Sequence, residues 1–382
     1  MTDRPKLRWA ARIVYALAAL FVLVPAGLLV VHGETLAARL AGLFTLPALA
    51  LPPMLPRVLS SRKRQWLAAG TAAVAACLFL WIVLLAPPGE GSPGSRVRSH
   101  FPGPASYSRF AVANLVPEID QIKLGTYLIP FADPIITFES SAHLREVSMA
   151  LYQPMEADPE FQALGSVMNY AYDNEPSGHF YEYVPEHAPE ERLPVLLFLH
   201  GSMGNFRSYF YIWRRFADEH HFIVLCPSFG WGNWYEPGGI EAIERVRAHA
   251  LTKLPSDPAR VYLAGLSNGG TGATRAAASN PSGYAGLILL SAVMEPEVIE
   301  SESFRRGWAN RPILVIHGAR DDRIPLAHAE HAAARFRAMG AHLTYKIYPD
   351  EDHFLVFARV QQTLNDVATW TGQGASDGLH DL

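Results

Sequence analysis

The stretch RVYLAGLSNGGTGATRAAASN, Arg260 to Asn280, has the pattern of a strand, a turn and a helix on which the predicted fold depends. It starts with an apolar run typical of a buried strand and ends with small residues typical of a closely packed helix. Between them Ser267 stands two residues from Gly265 and two from Gly269. A G-x-S-x-G pattern at a strand-to-helix corner holds its serine on a sharp turn, where glycine avoids collisions with the neighbouring strand and helix. Elsewhere the same pattern is only a small-residue bend, so the surrounding sequence must distinguish the two.

Short apolar runs alternate with helical patterns from Gly178 onward, which is typical of a mostly parallel sheet covered by helices on both faces. The predicted strands are Phe180–Val184, Pro194–His200, Phe222–Pro227, Arg260–Leu266, Gly286–Ala292, Pro312–His317 and Leu343–Tyr348. The predicted helices are Arg207–Glu219, Gly239–Leu254, Asn268–Ser279, Leu326–Met339 and Phe354–Thr371. Because ligands bind at the carboxyl ends of parallel strands, the residues just after each strand are the candidates for a site.

An acid and a base follow two of the later strands. A serine hydroxyl becomes a good nucleophile when a base removes its proton, and that base needs a carboxylate to orient it. Asp321 follows the sixth predicted strand, and His353 follows the seventh. Ser267, Asp321 and His353 therefore stand at three separate strand ends, which favours a nucleophile at Ser267 over a bend.

Other residues compete for these roles. Asp322 is an alternative acid beside Asp321, and Glu295 is a weaker one after the fifth predicted strand. His317 precedes a turn glycine, so we expect it to shape its loop, and we expect His200 to support the loop after the second strand.

Donors for a reaction oxyanion are also predicted. The backbone N–H of Asn268, at the start of the helix, is one. The second comes from the loop after the second predicted strand, where Ser202 fits and Met203 is the alternative. In the loop after the third strand, Trp231 and Trp234 form either a substrate-binding wall or the local packing of a long loop.

Residues 178–371 resemble the α/β-hydrolase superfamily through the pieces LFLHGSMGN, DPARVYLAGLSNGG, LVIHGARDDRIP and DEDHF. They are most like its secreted esterases, polyester depolymerases and prolyl-oligopeptidase-like hydrolases. In that family the nucleophile, acid and base follow one another in the chain order of Ser267, Asp321 and His353. The HGxxDxxIP piece supplies the acid, which maps to Asp321.

The resemblance implies an α/β-hydrolase fold and a Ser-His-Asp hydrolase that needs no cofactor or metal. We expect it to cleave carboxylic esters of small molecules, lipids or polyesters through an acyl-enzyme. Two alternatives stay open, a serine peptidase of the prolyl-oligopeptidase-like type and a catalytically inactive binding or scaffold protein on the same fold.

The first 86 residues differ from the rest in charge and hydropathy. Nine of the 32 basic residues but only two of the 36 acidic residues lie within residues 1–65, so the remainder of the chain is acidic. Apolar runs near residues 9–31, 38–56 and 66–86 are about long enough to cross ~30 Å of hydrocarbon, although prolines interrupt the second. The sequence predicts a helical membrane anchor of about three spans over residues 1–86.

The cations predict the orientation of this anchor. They lie before the first span and between the second and third, at Arg4, Lys6, Arg8, Arg12, Arg57, Arg62, Lys63 and Arg64. Positive charge stays on the cytoplasmic side, so we expect a cytoplasmic N-terminus and an extracytoplasmic catalytic domain. If the middle stretch does not span, the large domain returns to the cytoplasm.

The remaining segments follow from composition. Residues 87–109 are rich in Pro, Gly and Ser, which predicts an extended linker. Residues 110–177 are an extension of unknown role with a predicted helix at Pro159–Tyr172, residues 178–371 are the catalytic domain, and residues 372–382 are a disordered tail.

The composition also argues against some functions. Cys77 and Cys226 lie in apolar runs, so they indicate neither a disulfide nor a metal site. The acidic balance after the anchor leaves no basic patch for nucleic acid.

Overall fold

A computed structural model of the 382-residue chain describes residues 4–58, 61–85, 91–92, 94–100, 116–166 and 178–372. The chain divides into two compact units. Met1–Pro87 and Arg109–Arg145 form the first unit, and Pro88–Ser108 and Glu146–Leu382 form the second. The predicted tail after residue 372, most of the predicted linker and the second half of the helix predicted at Pro159–Tyr172 lie outside the described residues.

The first unit is helical. Its helices are α1 (Arg4–His32), α2 (Leu36–Val58), α3 (Arg62–Leu85), α4 (Glu118–Ala132) and the start of α5 (Phe138–Ala157). Two helical segments, Ile13–His32 and Arg62–Leu85, are long and apolar enough to cross a membrane by length and composition. The apolar part of α2 is shorter, Leu36–Leu49. Two of the three predicted spans therefore meet that criterion among the described residues.

A buried carboxylate joins α4 to the turn between α1 and α2. Asp120 is almost fully buried and accepts hydrogen bonds from the backbone N–H of Glu34, at 2.5 Å, and from the hydroxyl of Thr35, at 2.6 Å. Unpaired N–H groups at a helix start favour such an acceptor. Burial raises the pKa of Asp120, although the hydrogen bonds from Thr35 and Glu34 oppose that rise. Residues 116–132, predicted as part of a separate extension, therefore pack within the helical unit.

The second unit contains the sheet. Its strands are β1 (Val97–His100), β2 (Phe180–Tyr183), β3 (Leu193–Leu199), β4 (Ile223–Pro227), β5 (Ser256–Leu266), β6 (Gly286–Leu290), β7 (Pro312–Gly318) and β8 (His342–Tyr348). The end of α5 also belongs to this unit. The helices that follow it are α6 (Pro159–Gln162), α7 (Arg207–His220), α8 (Gly239–Lys253), α9 (Gly269–Ser279), α10 (Pro296–Ile299), α11 (Glu302–Trp308), α12 (Leu326–Ala338), α13 (Leu355–Ala358) and α14 (Val360–Trp370).

The eight strands form one sheet in the order β1-β2-β4-β3-β5-β6-β7-β8. β2 runs antiparallel to both β1 and β4, and every other neighbouring pair is parallel. Each predicted strand is present, with ends that differ by at most four residues. The central strands are buried on both faces, which explains their continuous Val, Ile and Leu runs.

Three predictions about local structure are wrong. The helix predicted at Pro159–Tyr172 ends at Gln162, and residues 163–166 are not helical. Val97–His100 was expected to belong to the extended linker, yet it pairs with β2, and Val97 is fully buried opposite Tyr183. The helix predicted at Phe354–Thr371 is two helices, because Arg359 leaves the helical conformation with a φ of −124° and pairs with Glu351 at 2.6 Å.

Helices cover both faces of the sheet because successive side chains of a strand point to opposite faces. On one face Leu197 and Leu263 belong to a core that includes Ala273 of α9 and Phe336 of α12. On the other face Phe198 lies against Trp213 of α7, with ring centroids 5.4 Å apart. This mostly parallel, two-sided sheet fits an α/β-hydrolase fold.

Candidate active site

Ser267 occupies the turn between β5 and α9 in a strained backbone conformation. Its φ is +51°, in the left-handed region that non-glycine residues rarely adopt. The turn is fixed by hydrogen bonds to the neighbouring β6 segment. The N–H of Ser267 donates to the carbonyl of Leu290, at 3.1 Å, and the carbonyl of Ser267 accepts from the N–H of Val293, at 2.9 Å. Surrounding structure of this kind is needed to maintain a conformation that costs ~1–3 kcal/mol.

Glycines allow the backbone to pass close to this turn. A Cβ on Gly265 would lie 2.4 Å from the carbonyl oxygen of Gly269, and a Cβ on Gly269 would lie 2.1 Å from that of Leu199. A Cβ on Gly201, in the loop after β3, would lie 3.0 Å from the Cβ of Ser267. Neither glycine of the pentapeptide therefore has room for a side chain.

Ser267, His353 and Asp321 form one chain of hydrogen bonds. The Nε2 of His353 lies 3.0 Å from the Oγ of Ser267, and its Nδ1 lies 2.8 Å from the Oδ2 of Asp321. With the ring proton on Nδ1, donated to the carboxylate, Nε2 is an acceptor that faces the serine hydroxyl. The structure thus brings together the three residues that the sequence places at separate strand ends.

The loops after β7 and β8 hold Asp321 beside His353. The N–H of Ala319 donates to the carbonyl of Tyr348, and that of Arg320 donates to the carbonyl of Glu351, each at 2.9 Å. A Cβ on Gly318 would lie 2.4 Å from that same Glu351 oxygen, so only glycine fits between the loops.

The carboxylate of Asp321 is buried, but it accepts hydrogen bonds from protein groups in place of water. Its Oδ1 accepts hydrogen bonds from the N–H groups of Arg323, at 2.9 Å, and Ile324, at 2.8 Å. Burial acts to raise the pKa of Asp321, but the His353 ring and the Ile324 N–H outweigh it, so the pKa lies below its ordinary value. The side chain is therefore an anion at neutral pH, in the form that orients an imidazole.

The two alternative acids are placed differently. Asp322 is exposed to solvent, next to but outside the hydrogen-bonded group. Glu295 accepts two hydrogen bonds from the guanidinium of Arg275, at 2.6 and 2.9 Å. Geometry thus singles out Asp321 as the carboxylate that faces His353.

Two buried histidines support the loops. The Nδ1 of His200 donates to the carbonyl of Gly201, at 2.8 Å, and its Nε2 accepts from the N–H of Phe229, at 3.1 Å. Burial lowers the pKa of His200 to about 4, so the ring stays neutral. His317 donates from Nε2 to the carbonyl of Ile324, at 2.9 Å, within the loop that carries Asp321. Burial lowers its pKa as well.

Two backbone N–H groups remain available beside Ser267. No described residue accepts a hydrogen bond from the N–H of Asn268 or from that of Ser202. The N–H of Met203, the alternative donor, is already engaged with the carbonyl of Trp231, at 2.9 Å. Ser202 is therefore the candidate on the loop after β3.

A contact that the sequence did not suggest links these two donors. The side-chain amide of Asn268 donates to the hydroxyl of Ser202, at 2.8 Å. This bond connects the turn after β5 to the loop after β3, so it fixes the spacing of the two N–H groups. A pentapeptide pattern leaves the residue after the serine unrestricted, and no spacing in the sequence could have revealed the contact.

The two tryptophans of the loop after β4 differ in exposure. Trp234 is 1% exposed, donates from Nε1 to the carbonyl of His200, at 2.9 Å, and stacks near Phe229. Of the two alternatives, Trp234 therefore has the local-packing role. Trp231 is half-buried, and its carbonyl is the acceptor for Met203.

The arrangement can remove the proton from the Ser267 hydroxyl and can stabilise an oxyanion beside it. A base within hydrogen-bond distance of a hydroxyl, oriented by a buried carboxylate, is suited to generating an oxygen nucleophile. Two N–H groups near that oxygen suit a tetrahedral oxyanion. Among the described residues, the one group of side chains with metal-ligating geometry is His100, Glu182 and His249, at the β1 edge of the sheet.

A protein-family model and two curated relatives match parts of this chain. The prolyl oligopeptidase family model matches residues 300–375, which include Asp321 and His353 but not Ser267. A probable carboxylesterase of Oryza sativa subsp. japonica is 28% identical over 125 residues, covering 32% of this chain and 53% of the relative. Poly(3-hydroxyalkanoate) depolymerase C of Paucimonas lemoignei is 30% identical over 139 residues, covering 32% of this chain and 33% of the relative.

The chain thus spans about half and one third of the lengths of these two relatives. Among solved structures, an esterase of Pyrobaculum calidifontis superposes with a TM-score of 0.44 at 17% identity, covering 53% of this chain and 84% of that one.

The glycine contacts predict a specific loss of stability. Gly269→Ala places a methyl group against the backbone of β3, which cannot move without disturbing the sheet. We expect the free energy of unfolding of the variant to be ~1–3 kcal/mol or more below that of the wild type, as measured by urea unfolding of the purified protein. Gly125→Ala is the control, because its added Cβ meets nothing within 4 Å in helix α4. Equal stability of Gly269→Ala and the wild type would contradict the close packing of this turn.

Proposed function

We propose that this protein is a serine hydrolase that cleaves carboxylic esters. The observation that carries the proposal is the hydrogen-bonded chain from Ser267 through His353 to Asp321. The strained turn under Ser267 and the two available N–H groups beside it add support. The partial similarity to a carboxylesterase and to a polyester depolymerase favours ester substrates.

The proposed reaction proceeds in two halves. In the first, the Oγ of Ser267 attacks the ester carbonyl while the Nε2 of His353 takes the hydroxyl proton. The N–H groups of Asn268 and Ser202 bind the resulting oxyanion, and the imidazolium is stabilised by Asp321. Collapse breaks the bond to the alcohol oxygen, which receives the proton from His353, and leaves an acyl group on Ser267.

The second half removes the acyl group with water. His353, again neutral, takes a proton from a water molecule that attacks the acyl carbon. The same N–H groups bind the second oxyanion. Its collapse returns the proton to the Oγ of Ser267 and releases the carboxylic acid, so no cofactor enters the balance.

A serine peptidase is the second candidate function. The match of residues 300–375 to the prolyl oligopeptidase family favours it. The two functions share the same acylation chemistry, and a serine peptidase also cleaves esters, so the peptides in a panel of esters and peptides carrying the same acyl group separate them. We expect Ser267-dependent cleavage of the esters alone, and Ser267-dependent cleavage of the peptides would favour the peptidase.

Labelling with a fluorophosphonate tests the nucleophile. We expect the full-length protein in detergent to be labelled and to hydrolyse short-chain p-nitrophenyl esters, and we expect Ser267→Ala to lose both activities. Ser279→Ala is the matched control, because that serine is exposed at the end of the same helix. Retained labelling in Ser267→Ala would refute the nucleophile. A folded wild type without labelling or turnover would favour the inactive binding-protein alternative.

The neighbouring aspartates provide a second matched pair. Asp321→Asn retains the side-chain shape but loses the charge that orients His353, so we expect kcat to fall by up to ~10⁴-fold. Asp322→Asn changes an exposed residue and should leave kcat within about twofold. Ester hydrolysis at neutral pH measures both, and an equal loss in the two variants would refute the assignment of Asp321.

We further propose that the helical unit anchors the protein in a membrane, with a cytoplasmic N-terminus and an extracytoplasmic catalytic domain. The support is the apolar character of Ile13–His32 and Arg62–Leu85 together with the cations that flank the predicted spans. This orientation requires that α2 also spans, so that three segments cross the bilayer.

Protease protection tests the orientation. A C-terminal epitope tag on the protein should be removed by proteinase K added to spheroplasts, while a cytoplasmic marker protein survives. A tag that is protected until the membrane is dissolved would show that an even number of segments spans, which would contradict the proposed topology.

A further inference from the structure

The edge of the sheet away from Ser267 carries a second cluster of polar side chains. His100 lies on β1, Glu182 on β2 and His249 on α8. One potential ligand atom from each of the three side chains lies within 4.8 Å of the other two. β2 stands three places from β5 in the strand order, so the cluster is separate from the candidate active site.

Strand register explains how these residues meet. In the antiparallel pair of β1 and β2, His100 stands opposite Phe180, and Arg98 stands opposite Glu182. Side chains two residues apart on a strand share a face, so His100 and Glu182 lie diagonally on one face of this pair. Helix α8 supplies His249 to the same place, one turn from Val246, which packs in the core with Phe180.

The atoms of the cluster converge on one carboxylate oxygen. The Nε2 of His249 lies 2.6 Å from the Oε2 of Glu182, and the Nε2 of His100 lies 3.2 Å from it. The His100 nitrogen is shielded from solvent yet makes no well-aligned hydrogen bond within the described residues. The other oxygen, Oε1, faces the guanidinium of Arg98 at 3.8 Å.

The rings are held in place before any ion arrives. The His100 ring stacks on Phe180, with centroids 4.4 Å apart and planes 7° apart, and the His249 ring meets the same phenyl group edge-on at 5.0 Å. The Glu182 side chain is 2% exposed, whereas the imidazoles are 34% and 24% exposed. The two rings are thus partly exposed, whereas the carboxylate between them is buried.

The carboxylate of Glu182 faces both imidazole rings. Two imidazoles and one carboxylate are a ligand set that zinc accepts, with water in the fourth position.

We infer that His100, Glu182 and His249 form a Zn²⁺ site that fastens the edge strand β1 to β2 and α8. Two ligand atoms at ~2.0–2.1 Å from a tetrahedral ion lie ~3.3 Å apart, which is close to the spacing of the His100 and Glu182 atoms. The His249 nitrogen has to move away from the oxygen by a fraction of an ångström, replacing a hydrogen bond with a metal bond.

Metal binding to the full-length, chelator-treated protein in detergent tests this inference. We expect one Zn²⁺ or Co²⁺ per chain by elemental analysis, with the visible absorption of four-coordinate cobalt and an increase in Tm on addition of Zn²⁺. Removing a residue that hydrogen-bonds to a metal ligand lowers metal affinity by ~10–100-fold. Removing a ligand itself should therefore lower the affinity by at least ~100-fold. His249→Ala and Glu182→Gln should show that loss.

The control is His342→Ala, which removes an exposed imidazole from β8 and should bind cobalt like the wild type. X-ray absorption of zinc bound to the wild type keeps the test decisive if a variant does not fold, because it reports two imidazoles and oxygen directly. Failure of the wild type to bind, binding unchanged in the variants, or a zinc environment without two imidazoles would each overturn the site. None of these outcomes depends on ester hydrolysis.

Discussion

The candidate active site depends on how closely β5, its turn and the start of α9 pack against β3. The backbone of Gly269 passes so near the carbonyl of Leu199 that no side chain fits between them. That approach places the loop after β3 over the turn and sets Gly201 against Ser267. The positive φ of Ser267 is tolerated because the β6 segment, at Leu290 and Val293, accepts and donates hydrogen bonds at the turn. The backbone thus holds the serine hydroxyl where it contacts His353.

The remaining parts of the site depend on the same parallel sheet. Loops from β7 and β8 meet at one edge and are joined by backbone hydrogen bonds, which set Asp321 and His353 side by side. Asp321 is ionised although buried, because backbone N–H groups and the His353 ring replace the water that it lost. His200 and His317 remain uncharged supports, since burial lowers the pKa of each. One network therefore contains a charged acid, an oriented base and a positioned hydroxyl.

Much of this arrangement could be predicted from the sequence because it depends on local patterns. Apolar runs located each strand from β2 to β8, and residues just after three strands gave Ser267, Asp321 and His353. Contacts between distant elements could not be predicted. The Asn268 amide reaches Ser202, Asp120 reaches the start of α2, and β1 pairs with β2 despite its linker-like surroundings. The exposure of the tryptophans also depended on the folded path of the loop, which composition does not determine.

The His100, Glu182 and His249 cluster illustrates the same limit. Its members come from three elements far apart in the chain, so no metal-binding spacing is present in the sequence. The register of an edge strand pair and one helix bring them together. The candidate active site is therefore visible in local sequence patterns, whereas the proposed zinc site is visible only in the tertiary structure.

We propose that Ser267 carries the acyl group during ester hydrolysis. Acid quenching of the wild-type reaction with a p-nitrophenyl ester, followed by proteolysis and tandem mass spectrometry, locates that group in the chain. We expect the added acyl mass on Ser267, and we expect it to disappear as the substrate is exhausted. An acyl group on another residue, or turnover without any acylated peptide in a reaction with a burst phase, would refute this role of Ser267.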